Sequence, residues 1–145
     1  MPNRRDPDAP GRGSEEGAPR GVPASLSDLP WELPHTFLGL DHPEGSFDAA
    51  DAVLLPVPYE STTSWGGGTR RGPAGIVEAS RYIEMYDQEF SCEPGALLGI
   101  HTLPGLELTR AGATPAMEEL RAAYGKVAEA CGERFLLMLG GEHSI

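Results

Sequence analysis

A chain of 145 residues with 11 basic and 22 acidic side chains has room for one well-cored domain and not for two. Its formal net charge of -11 and pI near 4.7 exclude nucleic acid and anionic membrane as natural partners, since either would repel a surface with twice as many acids as bases. A small neutral or cationic ligand suits such a surface better.

The stretch from Met1 to Pro34 holds seven of the fourteen prolines, several glycines and few clustered aliphatic residues. It cannot bury enough apolar area to offset the entropy of ordering, so a mobile tail is predicted over 1–34, ahead of a folded part over 35–145. Trp31 and Phe37 are the candidates to fasten the end of that tail. Arg4 and Arg5 are followed by Asp, Pro, Gly and Glu instead of an apolar stretch, so no export signal is expected, and no run reaches transmembrane length.

The first strong element is the strand Ala52–Tyr59, an almost continuous apolar run of the kind covered on both faces in a parallel sheet, with Pro56 and Pro58 marking its end. A polar, glycine-rich loop follows. Gly72-Pro73 then opens a helix predicted to run to Tyr86, with Ile76, Val77, Ser80, Ile83, Tyr86 and Phe90 as its inward face. A second strand is predicted over Ala96–His101. The next helix has Thr114 as cap, Pro115 at its first position, and Met117, Leu120, Tyr124, Val127 and Cys131 along one stripe, with Gly132 ending it in a left-handed conformation. The third strand, Phe135–Leu139, runs into Gly140-Gly141-Glu142-His143. Strands alternating with helices imply right-handed crossovers, a parallel sheet and an α/β fold.

Ligands of such sheets sit beyond the carboxyl ends of the strands, which singles out three loops. The loop after the third strand delivers Glu142 and His143 on a sharp glycine turn. Neutral imidazole is a good ligand for a first-row divalent metal, and a neighbouring carboxylate is placed to orient it; the bland reading is a helix-capping or solvated histidine. The loop after the first strand, Glu60 to Pro73, carries Trp65, Gly66, Gly67, Gly68 and Thr69. It lacks the patterns of a nucleotide cradle and reads as a pocket wall, in which Trp65 is either a substrate contact or a buried anchor. His101, at the end of the second strand, is more ordinary as a packed histidine than as a ligand. The acids of both helices read as solvated faces, not as a carboxylate cluster. Cys92 and Cys131 form no metal or disulfide pattern; both read as small buried hydrophobes and suit a reducing cytoplasm.

The segments PVPYESTTSWGGGTRRGPAGIVEASRYIEMYD, LLGIHTLPGLEL and FLLMLGGEHSI, in that order, resemble the opening half of agmatinases in the arginase/agmatinase/ureohydrolase family. The likeness covers Ala52 to Ile145 and not the tail. It implies a three-layer α/β/α fold, of which this is the N-terminal part, and two Mn2+ ions at the carboxyl ends of the strands. A shared hydroxide between them would attack the guanidinium of agmatine to give putrescine and urea. The histidine of the family's GG[DE]HS motif carries over to His143 as a metal ligand; where many relatives have Asp, this chain has Glu142.

The family's later D-A-H-x-D and D-x-D ligand motifs have no counterpart in these residues. The expectation is therefore a sequence truncated before most metal ligands, with no catalytic residue of its own and inactive alone. Complete members are expected to be homo-oligomers acting on a small guanidino substrate. The alternatives are a hydrolase of another guanidino compound, or a non-enzymatic remnant or interaction module from a broken gene, associating through an exposed sheet edge.

Overall fold

Residues Val53 to Val57 are all buried, because this apolar run is the middle strand of a three-stranded sheet. In the computed structural model it forms β1 (Ala52–Val57), hydrogen-bonded in parallel to β2 (Ile100–Thr102) on one side and to β3 (Phe135–Gly140) on the other, in the order β2-β1-β3. The structure describes residues 32, 34–41, 43 and 45–145; the predicted tail and Trp31 lie outside the described residues, except at Glu32 and Pro34.

The strand ends two residues earlier than predicted and runs through Pro56 instead of stopping there. Pro56 lacks a donor, but it sits opposite Leu139 in the ladder and its carbonyl accepts the Leu106 N–H at 2.9 Å. Leu55, Val57 and Tyr59 share one pleat and pack with Leu108, Ala116 and Leu120 into the main core. Pro56 is on the other pleat, where it lines a cavity of about 210 Å³ with Pro73 and Val77. Helices therefore cover β1 on both faces.

The first helix, α1 (Gly72–Ser80), starts where the Gly-Pro pair predicts but stops six residues short of Tyr86. Only Val77, Ser80 and Pro73 of it are buried; Ile76, Ile83, Tyr86 and Phe90 are exposed, so the expected inward face is too long. The stop has a tertiary cause. The Ser80 hydroxyl donates to the Val77 carbonyl at 2.7 Å and accepts the Leu38 N–H at 2.8 Å, tying the helix end to the 3-10 turn Phe37–Gly39. Beyond it the chain turns irregularly and closes on itself through a bridge between Asp87 and Cys92, and Cys92 is only partly buried.

The predicted strand over Ala96–His101 is instead a short helix, α2 (Pro94–Leu98), followed by the three-residue β2. Pro94 at its start and Gly99 at φ 64° after its end are the helix signals that outweigh the apolar Ala-Leu-Leu run. His101 falls in β2 opposite Val53, near the beginning of β1. Its Nδ1 is 2.7 Å from the Gly45 carbonyl and its ring meets Phe47 edge-on at 5.4 Å, while Arg134 stacks over Phe47 at 4.6 Å. This is a packed histidine at the end of the sheet remote from the loops of interest.

The long helix α3 (Ala113–Cys131) begins one residue before the expected cap: Gly112 precedes it without any side-chain cap, and Thr114 is already helical. Ala116, Leu120 and Cys131 are buried, Met117 and Val127 are half-buried, and Tyr124 is exposed. Gly132, at φ 61°, ends the helix as predicted. β3 follows, one residue longer than predicted. Leu136 and Met138 pack on the core, whereas Phe135 is 65% and Leu137 41% exposed, and among the described residues the strand pairs with β1 alone. Among the described residues no helix is long and apolar enough to cross a membrane.

Candidate functional site

Parallel pairing puts the carboxyl ends of β1 and β3 side by side, with Val57 opposite Gly140 as the last rung. The loops that follow are therefore neighbours from their first residue. The Glu142 N–H donates to the Tyr59 carbonyl at 2.9 Å, which continues the ladder past the strands. A Cβ at Gly141 would run into that same carbonyl oxygen, so the close approach requires glycine there.

Glu142 is 5% exposed and faces the other loop. One carboxylate oxygen accepts the Ser61 and Thr62 N–H groups, each at 2.8 Å. The other accepts the Thr62 hydroxyl at 2.5 Å and the Ser144 hydroxyl at 2.6 Å. An ionised carboxylate offers about four lone-pair sites, and all are taken. Burial alone would raise its pKa, but the Ser144 and Thr62 hydroxyls and the Thr62 and Ser61 amides outweigh burial and hold it at about 2. The side chain is a fixed anion that fastens one loop to the other, and it has no acceptor site left for the ring of His143.

A second carboxylate holds the far end of the same loop. Glu60 accepts the Gly68 N–H at 2.8 Å, the Arg70 N–H at 2.8 Å and the Thr69 hydroxyl at 3.0 Å. The backbone amides of Arg70 and Gly68, helped by the Thr69 hydroxyl, lower its pKa against the opposing effect of partial burial. Gly66 and Gly68, at φ 64° and 122°, supply the left-handed turns that bring those amides round to Glu60. The sequence contains the signal only faintly, as a glutamate opening a loop whose glycines come six to eight residues later.

Between the two carboxylates the loop carries Trp65, which is 95% exposed and thus not a buried anchor. It lines a cavity of about 400 Å³ together with Thr62, Thr69, His143 and Ser144. Of the predicted site residues, the structure unites Trp65, Thr69, Glu142 and His143 around this cavity, while Gly66, Gly67 and Gly68 shape the loop behind it. His143 and Glu142 are the only titratable side chains among the described residues lining it. No group of three or more His, Cys, Asp or Glu that could hold a metal occurs among the described residues.

The residues 50–145 match the family model described as Arginase family. Curated relatives include the N(1)-aminopropylagmatine ureohydrolase of Synechocystis sp. (strain PCC 6803), 35% identical over 108 residues, which take in 69% of this chain and 33% of the relative. A protein of the same name from Thermus thermophilus is 32% identical over 102 residues, 70% of this chain and 34% of the relative. Among solved structures, the agmatine ureohydrolase of Thermoplasma volcanium superposes with a TM-score of 0.58 at 20% identity, over 70% of this chain and 34% of that one. That likeness concerns the fold. The matched segment thus spans about a third of the length of its curated relatives.

Proposed function

The chain belongs to the arginase family, and from that premise we propose that its β1 and β3 loops form one wall of a ureohydrolase site, where a guanidinium group is hydrolysed to an amine and urea. The observation that carries the reading is the union of the GGEHS turn with the glycine-rich loop around a single cavity, with His143 at its rim. The acidic balance of the chain agrees with a cationic substrate.

We assign His143 as one donor to Mn2+. These residues do not make a manganese site by themselves: manganese binds weakly among the divalent metals and prefers several oxygen donors, and the one carboxylate beside His143 is already saturated with hydrogen bonds. The remaining donors of a two-ion centre must then come from residues other than these. When bound, such ions would supply a nucleophilic hydroxide at neutral pH. The chain's own part is to present the imidazole, to hold the loop that faces it, and to shape the pocket. By the same argument the 145-residue chain is inactive alone. We further propose that the active assembly is a homo-oligomer, as the family resemblance implies, and cytoplasmic, the compartment that suits its free thiols.

Agmatine is the substrate suggested by the sequence motifs; the four curated relatives carry names that point to its aminopropyl derivative. The test supplies Mn2+ and, in trans, the two thirds of a relative that the match does not span, and measures urea released from each compound. His143→Ala is expected to lower the rate at least about 100-fold and to weaken Mn2+ binding by the reconstituted assembly, followed by electron paramagnetic resonance. Unaltered metal binding in that variant would refute the assignment of His143. Urea release by the 145-residue chain alone would refute the need for further donors.

A further inference from the structure

Two carboxylates, on either side of one tryptophan, hold its loop in place from both ends. Ser61 and Thr62 are bonded to Glu142, and Gly68, Thr69 and Arg70 to Glu60, which leaves Trp65 on the short span between. The loop's own hydrogen bonds do not need the indole, and the core does not receive it, since the ring is 95% exposed. A tryptophan held out from the protein on a fastened loop is presented to something. It lines the 400 Å³ cavity that His143 also lines.

The chemistry of that cavity narrows the choice of ligand. Its described lining includes the hydroxyl-bearing Thr62, Thr63, Ser64, Thr69 and Ser144 and no lysine or arginine, so a cation entering it meets no like charge. An indole is the best of the aromatic faces for an ammonium or guanidinium group. Resting on the ureohydrolase reading, in which the reacting guanidinium lies towards His143, we propose that Trp65 receives the cationic amine at the other end of a long guanidino substrate. The site thereby selects substrates bearing a second, distal positive charge over those that end in an alkyl chain. Trp65 is a specificity residue in this account, distant from the bond that breaks.

The test titrates the 145-residue chain with N(1)-aminopropylagmatine and with butylguanidine, which shares the guanidinium but lacks a distal amine. Binding is followed by the indole N–H resonances of Trp65 and Trp31. The polyamine is expected to shift the Trp65 resonance, and Trp65→Ala to weaken its binding roughly 2- to 30-fold while leaving butylguanidine within about twofold. Trp65→Phe should fall between. Because the side chain is exposed, an unchanged melting curve is expected for both variants and serves as the folding control. No Trp65 shift, or equal weakening of both ligands, overturns the proposal. The two readings fail separately: Trp65-dependent amine binding without urea release in the reconstituted enzyme sinks only the ureohydrolase reading, whereas urea release with unaltered selectivity in Trp65→Ala sinks only this one.

Discussion

Glu60 shows how a single side chain can organise a loop whose sequence looks merely flexible. Its folded pKa lies below the ordinary value of 4.5 because the Arg70 and Gly68 amides, and then the Thr69 hydroxyl, stabilise the anion. A depressed carboxylate pKa contributes stability that is present above the ordinary value and lost as pH falls through the lower folded value. The loop should therefore keep its conformation at neutral pH and loosen in acid. The check is hydrogen exchange of the Gly68 and Arg70 amides across that window: protection should fall with pH in the native chain and be weak at every pH in Glu60→Gln. Constant protection in both would refute the role. Neither this contact nor the Glu142 one was legible in the sequence, because each joins a carboxylate to backbone amides, which leave no trace in residue type. The position of His143 beside the cavity was legible, because it follows a strand directly on a glycine turn. For Trp65 the sequence left two alternatives, and exposure removes the buried one.

Among the strands and helices, β1, α3 and β3 were readable from apolar continuity and period alone, and the parallel sheet from their alternation. The two misreadings have different causes. Over 76–90 the apolar residues keep helical spacing past the true helix end, because Ser80 is diverted to the Phe37–Gly39 turn by bonds between residues 42 apart. Over 96–101 a short apolar run was ambiguous between strand and helix, and Pro94 and Gly99 decided it. Where β1 and β3 run into their loops, the tightest constraint is Gly141. Gly141→Ala would drive a Cβ into the Tyr59 carbonyl, a clash with backbone that cannot swing aside. A loss of about 2–4 kcal/mol is expected in denaturant unfolding, with the Glu142 N–H losing its exchange protection. A variant as stable as the parent would mean the two loops part more easily than this geometry allows.

Across the sheet, the core closes around β1 but not around β3. β1 is enclosed, yet β3 presents Phe135 and Leu137 to solvent and, among the described residues, pairs along only one of its edges. Unpaired strand edges with apolar faces template association with other chains. Sedimentation velocity should find the 145-residue chain self-associating. Phe135→Lys should shift it towards monomer at a cost within about 0.5 kcal/mol, as befits an exposed position. A parent chain that is already monomeric and melts cooperatively would refute this account of β3.

The six-rung ladder from Ala52–Phe135 to Val57–Gly140 also acts as a ruler for the pocket. A slip by one rung would displace His143 by about 3.3 Å relative to Tyr59 and turn every side chain of β3 to the opposite face. Gly141 and the amide of Glu142 meet the Tyr59 carbonyl in one alignment only. The distance between the imidazole and the indole is thus set by counting residues along two strands, and an insertion or deletion in either would detune the cavity even if every residue lining it were kept.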